Sequence, residues 1–154
     1  IGTVMVVSVV ITILIIEKTG RKKLMLAGSA SLAIVYGILG YLFLKGVTGL
    51  PIVLLILTNV AIYSITLAPV VWVILSEIFP NRIRGAAMSA AAMALWVGNF
   101  SLTFSFPAIK ENLGWANNFW LYGAICAVGF VLLYFRLPET KDKTLEQIES
   151  ELMN

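Results

Sequence analysis

Charged positions in this chain are few and clustered, and five uncharged stretches lie between them. They cover 1–16, 24–44, 46–76, 85–109 and 112–135, with lengths of 16, 21, 31, 25 and 24 residues. A helix crosses a bilayer core with about 20 predominantly apolar residues. The pattern predicts five membrane-spanning helices, over about 1–16, 24–44, 51–76, 85–108 and 118–136. Gly46-Val47-Thr48-Gly49-Leu50-Pro51 reads as a turn feeding a helix, and Gly114, Asn117 and Asn118 read as loop. The first stretch is short and opens at Ile1, so we read it as a spanning helix cut near its outer end, in a chain that is a fragment. It lacks the basic n-region and small-residue cleavage site of a secretory signal.

From Pro138 the pattern changes to polar, giving a tail over 138–154. Thr144-Leu145-Glu146-Gln147 has the spacing of a capping box. Leu145, Ile148 and Leu152 then recur at i, i+3 and i+7, the stripe of a short amphipathic helix set against the inner ends of the spans. No strand pattern, low-complexity segment or second domain is visible.

Composition supports a membrane reading. Apolar residues make up 60% of the 154, charged residues 12%, and the mean hydropathy is +0.95. Soluble domains run near 45–50% apolar and about 25% charged, and a chain this short keeps much of its surface exposed. An ordinary soluble globule is excluded, and so is a disordered chain, which needs low hydrophobicity and high net charge.

With no histidine and the single cysteine Cys126, there is no Ser–His–Asp triad, histidine-bound metal or haem, internal disulfide or thiolate cluster. The residues imply no enzyme, no cofactor and no metal. The net charge of +3 sits in short clusters, unlike a nucleic-acid-binding face.

Those clusters set an orientation. Lys18, Arg21, Lys22, Lys23, Arg82, Arg84, Arg136, Lys141 and Lys143 fall on one side of the predicted spans, and only Lys45 and Lys110 on the other. The positive-inside rule places the nine in the cytoplasm, so the chain starts outside and finishes inside. Trp115, Phe119, Trp120 and Tyr122 then lie at the outer interface.

Three features could carry chemistry. Pro69 interrupts the third span and removes the donor to the Ile65 carbonyl, with Trp72 about one turn further on. Broken helices at membrane depth line cavities in transporters, although proline kinks also serve plain packing. In the fourth span Trp96 and Asn99 share a helix face. The small residues before them suit close helix contact, but a mid-membrane indole beside an amide suits the C–H face and hydroxyls of a sugar. At two connectors an acid precedes an arginine, Glu17 before Arg21 and Glu77 before Arg84. These are either surface pairs worth about 0–1 kcal/mol each or a network holding the inner helix ends in one conformational state. Gly37 and Gly40 suit helix contact, and Cys126 a small buried apolar site.

These residues resemble a family. Pro69-x-x-Trp72-x-x-x-Ser76-Glu77-Ile78-Phe79-Pro80 with Arg84-Gly85 is similar to the signature between the tenth and eleventh helices of the sugar porters of the major facilitator superfamily. Glu17-Lys18-Thr19-Gly20-Arg21-Lys22 resembles that family's motif between helices eight and nine, and Pro138-Glu139-Thr140-Lys141 its motif after the last helix. The three occur in family order and cover essentially the whole chain.

The resemblance, nearest in flavour to bacterial xylose– and glucose–proton symporters, implies an all-α integral membrane fold. The five helices would be eight to twelve of a twelve-helix transporter, most of its C-terminal six-helix half. It implies that Trp72, Trp96 and Tyr63 line a monosaccharide pocket beside Asn99. It also implies that Glu17, Arg21, Glu77 and Arg84 form a cytoplasmic salt-bridge network favouring the outward-open state. The partners would be a monosaccharide, the lipid bilayer and the transporter's N-terminal half, with no nucleic acid. The place would be the cell (inner) membrane.

Two positions depart from the family: Leu95 stands where an amide often precedes the eleventh-helix tryptophan, and Ala68 where glycine usually precedes Pro69. The rival reading is a non-transporting five-span subunit or interaction protein.

Overall fold

The structure, a computed structural model, describes Gly2, Thr12, residues 19–79 and residues 82–137. The rest of the predicted first span, Glu17 and the tail over 138–154 lie outside the described residues. The described chain is helical: α1 (Arg21–Leu44), α2 (Leu50–Thr66), α3 (Ala68–Ile78) and α4 (Arg84–Arg136). Three segments are long and apolar enough to cross a membrane, Arg21–Leu44, Leu50–Ile78 and Arg84–Arg136.

Local chemistry sets the helix ends. Past α1, Gly46 takes φ 70°, its N–H donates to the Phe43 carbonyl and that of Val47 to the Leu42 carbonyl. This is a Schellman closure, which needs a left-handed residue at that position. Pro51 stands in the first turn of α2, where its missing N–H costs nothing. The interruption between α2 and α3 falls at Leu67, two residues before Pro69.

The 53 residues of α4 would extend about 80 Å if straight, far more than a bilayer. They do not. Gly114 has φ 79° and ψ 171°, a conformation essentially confined to glycine. The rings of Phe106 and Tyr122, eight residues to either side, stack with centroids 6.5 Å apart. The chain therefore reverses at Gly114, and 84–113 and 115–136 form an antiparallel pair. The loop expected around Gly114, Asn117 and Asn118 shrinks to one non-helical residue, because the backbone freedom of glycine turns the chain without further linker. The Asn117 side-chain Nδ2 donates to the Leu113 carbonyl one turn back (2.7 Å), and Asn118 is buried.

Packing aligns 115–136 antiparallel to α1. Phe43 stacks on Trp115 (5.5 Å) and Phe119 (5.1 Å), Tyr36 meets Tyr122 edge-on (5.9 Å), and Lys22 lies 5.8 Å over the Tyr134 ring. Trp120 Nε1 donates to the Gly37 carbonyl at 3.3 Å. Its indole covers the space a side chain on Gly40 would fill, whereas the corresponding space at Gly37 is open. Cys126 is half-buried.

One core cluster joins Leu24, Met25, Val70 and Ile74, with Leu133 and Leu137 against it. A second joins Val35, Leu39 and Ile52, with Tyr36 and Phe119. At the kink, Thr66 presses on the bare backbone of Gly28, so α1 meets the end of α2 without an intervening side chain. Outside these contacts the helices are apolar on their exposed faces. Met93, Val97, Phe100 and Phe104 follow i, i+4, i+7 and i+11 on one such face, an arrangement suited to lipid or neighbouring protein rather than to water.

The turn and the close approach give three expected outcomes. Gly114→Ala should lower stability by about 1–3 kcal/mol, the cost of that conformation for any other residue. Gly129→Ala, in open helix interior, should be neutral or slightly stabilising. Gly28→Val should cost about 1–3 kcal/mol by overpacking against Thr66. Thermal unfolding in detergent micelles checks all three, and equal melting temperatures for Gly114→Ala and Gly129→Ala would refute the turn argument.

Candidate functional site: a cleft at the broken helix

Pro69 has no N–H to give, so the helix cannot run unbroken through it, and α2 stops one residue before Leu67 while α3 starts one after. Tyr63 therefore stands in the last turn of α2 and Trp72 in the first turns of α3, on opposite sides of the break. Helix α4 brings Leu95, Trp96 and Asn99 against them. Together they line a cleft of about 240 Å³, floored by Leu67, Ala68 and Val71.

All four residues expected to bind substrate, Tyr63, Trp72, Trp96 and Asn99, line this cleft. The rings are not consumed by packing: Tyr63 is 47% exposed, Trp72 43% and Trp96 63%. Its volume lies below the roughly 300–1,000 Å³ typical of drug-sized sites, a scale that suits one small ring. Chemically the cleft offers two indole faces, a phenol and an amide, with no carboxylate or base among its lining residues. It can stack on a C–H-rich face and bond hydroxyls. Leu95 is in the wall, leaving the amide of Asn99 as its neutral hydrogen-bonding partner beside the Tyr63 hydroxyl.

The same amide borders a second cleft of about 330 Å³, with Tyr36, Leu102, Thr103, Phe106 and Tyr122. There Thr103 Oγ1 donates to Asn99 Oδ1 at 3.5 Å, and Asn59 Nδ2 donates to the Tyr36 hydroxyl at 3.1 Å. Sequence reasoning missed Tyr36, Thr103 and Tyr122. The signal for Thr103 and Phe106 was present, since 96, 99, 103 and 106 continue one helical stripe. Nothing in the sequence announced Tyr36 and Tyr122, which arrive from α1 and from beyond the Gly114 reversal.

At the far end of the bundle the described charged residues include an ion pair between two connectors. Arg21 Nη2 donates to Glu77 Oε1 at 3.0 Å, with both side chains largely covered. The pair links the first residue of α1 to the last turn of α3, across two connectors. Arg84 does not join Glu77. Its Nε donates to the Phe79 carbonyl at 3.2 Å, where extended backbone ends α3 and leaves that carbonyl without a helical donor. Glu17 lies outside the described residues.

Comparison with known proteins extends the picture. Residues 1–152 match the family described as Sugar (and other) transporter. An arabinose-proton symporter of Bacillus subtilis is 39% identical over 150 residues, covering 97% of this chain and 32% of its own length. A D-xylose-proton symporter of Escherichia coli is 35% identical over 156 residues, again 97% of this chain and 32% of the relative. The solved inward open conformation of the E. coli xylose transporter superposes with a TM-score of 0.91 at 35% identity, over 97% of this chain and 34% of that one. The chain thus spans about a third of the length of these relatives. With a family match over nearly its full length, this chain belongs to the sugar transporter family.

Proposed function

We propose that these helices carry a monosaccharide, a hexose or pentose such as glucose or xylose, across the cell membrane by alternating access. In this reading they are helices eight to twelve of a twelve-helix transporter, spanning 1–137, with 138–154 as a cytoplasmic tail. The sugar lies between the two six-helix halves, with Trp72 and Trp96 stacking on its C–H faces and Tyr63 and Asn99 bonding its hydroxyls. The observation that carries the proposal is the convergence of these four residues, from both sides of a proline break and from a separate helix, on one cleft. Relatives that transport arabinose and xylose with protons support the substrate class. A carboxylate for proton coupling is absent from the cleft lining, so coupling, where it occurs, uses groups elsewhere in the transporter.

The Arg21–Glu77 pair belongs to the cytoplasmic end and holds α1 to α3 there, favouring the outward-open form. Rocking of the halves exposes the cleft to each side in turn, and breaking this pair accompanies inward opening.

In the transporter containing these helices, Trp96→Ala should weaken sugar binding about fivefold or more with expression intact, because each stacked ring contributes on the order of 1 kcal/mol or more. Trp72→Ala should do the same. Unchanged affinity for xylose, arabinose and glucose in both variants would end the proposal. Arg21→Gln and Glu77→Gln should each shift the equilibrium toward the inward-open form. The double variant should shift it by less than the sum of the two singles, a non-additivity of about 1 kcal/mol. Alkylation of a cysteine introduced in the cytoplasmic opening reads that equilibrium, and additive shifts would break the link between the two residues.

A further inference from the structure

The proline break leaves a debt in the backbone. Without an N–H on Pro69, the Ile65 carbonyl has no helical donor. A side chain from a distant part of the sequence supplies one: Thr12 Oγ1 donates to the Ile65 carbonyl at 2.8 Å and reaches the Ser64 carbonyl at 3.4 Å. Thr12 is 1% exposed, so water does not compete for the bond. On the same turn Thr66 Oγ1 donates to the Ile62 carbonyl at 2.6 Å, and Thr66 is seated on Gly28. The last turn of α2 is thus gripped from two sides, by the hydroxyl of Thr12 and by the backbone of α1.

This grip bears on the cleft because the cleft straddles the break. Tyr63 rides on α2 and Trp72 on α3, so the separation of their rings depends on the angle between the two helices at Leu67. Thr12 is not a lining residue of the cleft, and any effect it has on ligand must pass through the backbone. The geometry points to Thr12 as a positioning residue: its hydroxyl, bonded to the Ile65 carbonyl, sets the α2–α3 angle and thereby the spacing of the Tyr63 and Trp72 walls around the sugar. The assignment rests on the proposed sugar cleft. An unbroken helix would need no such donor. The role of Thr12 is therefore tied to Pro69, and restoring an N–H at position 69 makes it redundant.

The test uses the full transporter, purified in detergent and titrated with D-xylose, arabinose and D-glucose, with the sugar that the parent binds most tightly as probe. Thr12→Val keeps the shape and removes only the donor. It should raise the Kd per folded molecule about five- to twentyfold, the scale of one buried hydrogen bond to a backbone carbonyl. Thr12→Ser, which keeps the hydroxyl, should bind as the parent does. In a Pro69→Ala background, where the new N–H serves Ile65, adding Thr12→Val should change the Kd by less than about twofold.

Parental affinity in Thr12→Val, equal losses in Thr12→Ser and Thr12→Val, or a full loss on adding Thr12→Val to Pro69→Ala would each overturn the assignment. If Thr12→Val fails to fold alone, the double variant decides. Folded and matching Pro69→Ala, it supports the role; unfolded or weaker, it refutes it. Trp96→Ala run alongside separates the two ideas. Lost binding there with an intact Thr12→Val overturns the positioning role alone, and intact binding in both Trp96→Ala and Trp72→Ala overturns the cleft and the role together.

Discussion

Inside a bilayer no water completes an unpaired backbone amide or carbonyl, and each one left bare costs several kcal/mol. The architecture of this chain depends on that constraint. Its long helices pair their own backbone groups, so interest concentrates where the ladder stops. Three such places among the described residues matter most here. After α1 a Schellman closure on Gly46 caps the last carbonyls. At Gly114 a backbone conformation open to glycine alone reverses the chain between two helices. At Pro69 the chain gives up a hydrogen bond in mid-span, and a threonine hydroxyl from another segment replaces it.

The last of these places is where the candidate site forms. On a straight helix Tyr63 and Trp72, nine residues apart, would point to opposite faces, since each residue turns the chain by about 100°. Breaking the helix between them lets both face one hollow while α4 supplies Trp96 and Asn99. The elements divide the labour. Helix α1 and 115–136 lock together through stacked rings and close backbone contact, and they form a rigid support. Residues 84–113 contribute far less to that core and leave Trp96, Phe100 and Phe104 exposed. Trp96 and Asn99 of the proposed cleft lie in this half of α4.

Charge is handled with similar economy. Arg21 and Glu77 meet at the end of the bundle, largely covered by their neighbours. Arginine is suited to such a place because its guanidinium stays protonated and presents several donors at once. Arg84, one connector on, is occupied with the carbonyl at which α3 terminates. Two arginines of similar sequence context thus serve different ends, one tying helices together and the other closing a helix terminus.

The hydropathy pattern alone determined that the chain is helical and suited to a membrane, since runs of about 20 apolar residues admit few other structures. The identity of residue 69 placed a break just before Pro69, because a missing N–H is a property of the residue and not of its surroundings. The stripe Trp96–Asn99 was legible for an equally local reason, the 3.6-residue turn. Which side chains meet across helices was not legible. The bonds of Arg21 to Glu77 and Thr12 to Ile65 join residues more than fifty positions apart, and periodicity within one helix carries no information about such partners. Tyr36 and Tyr122 joined the second cleft for the same reason. The length of the turn at Gly114 also waited for the structure, because glycine permits both a long loop and an abrupt reversal, and the packing of Phe106 against Tyr122 selects between them.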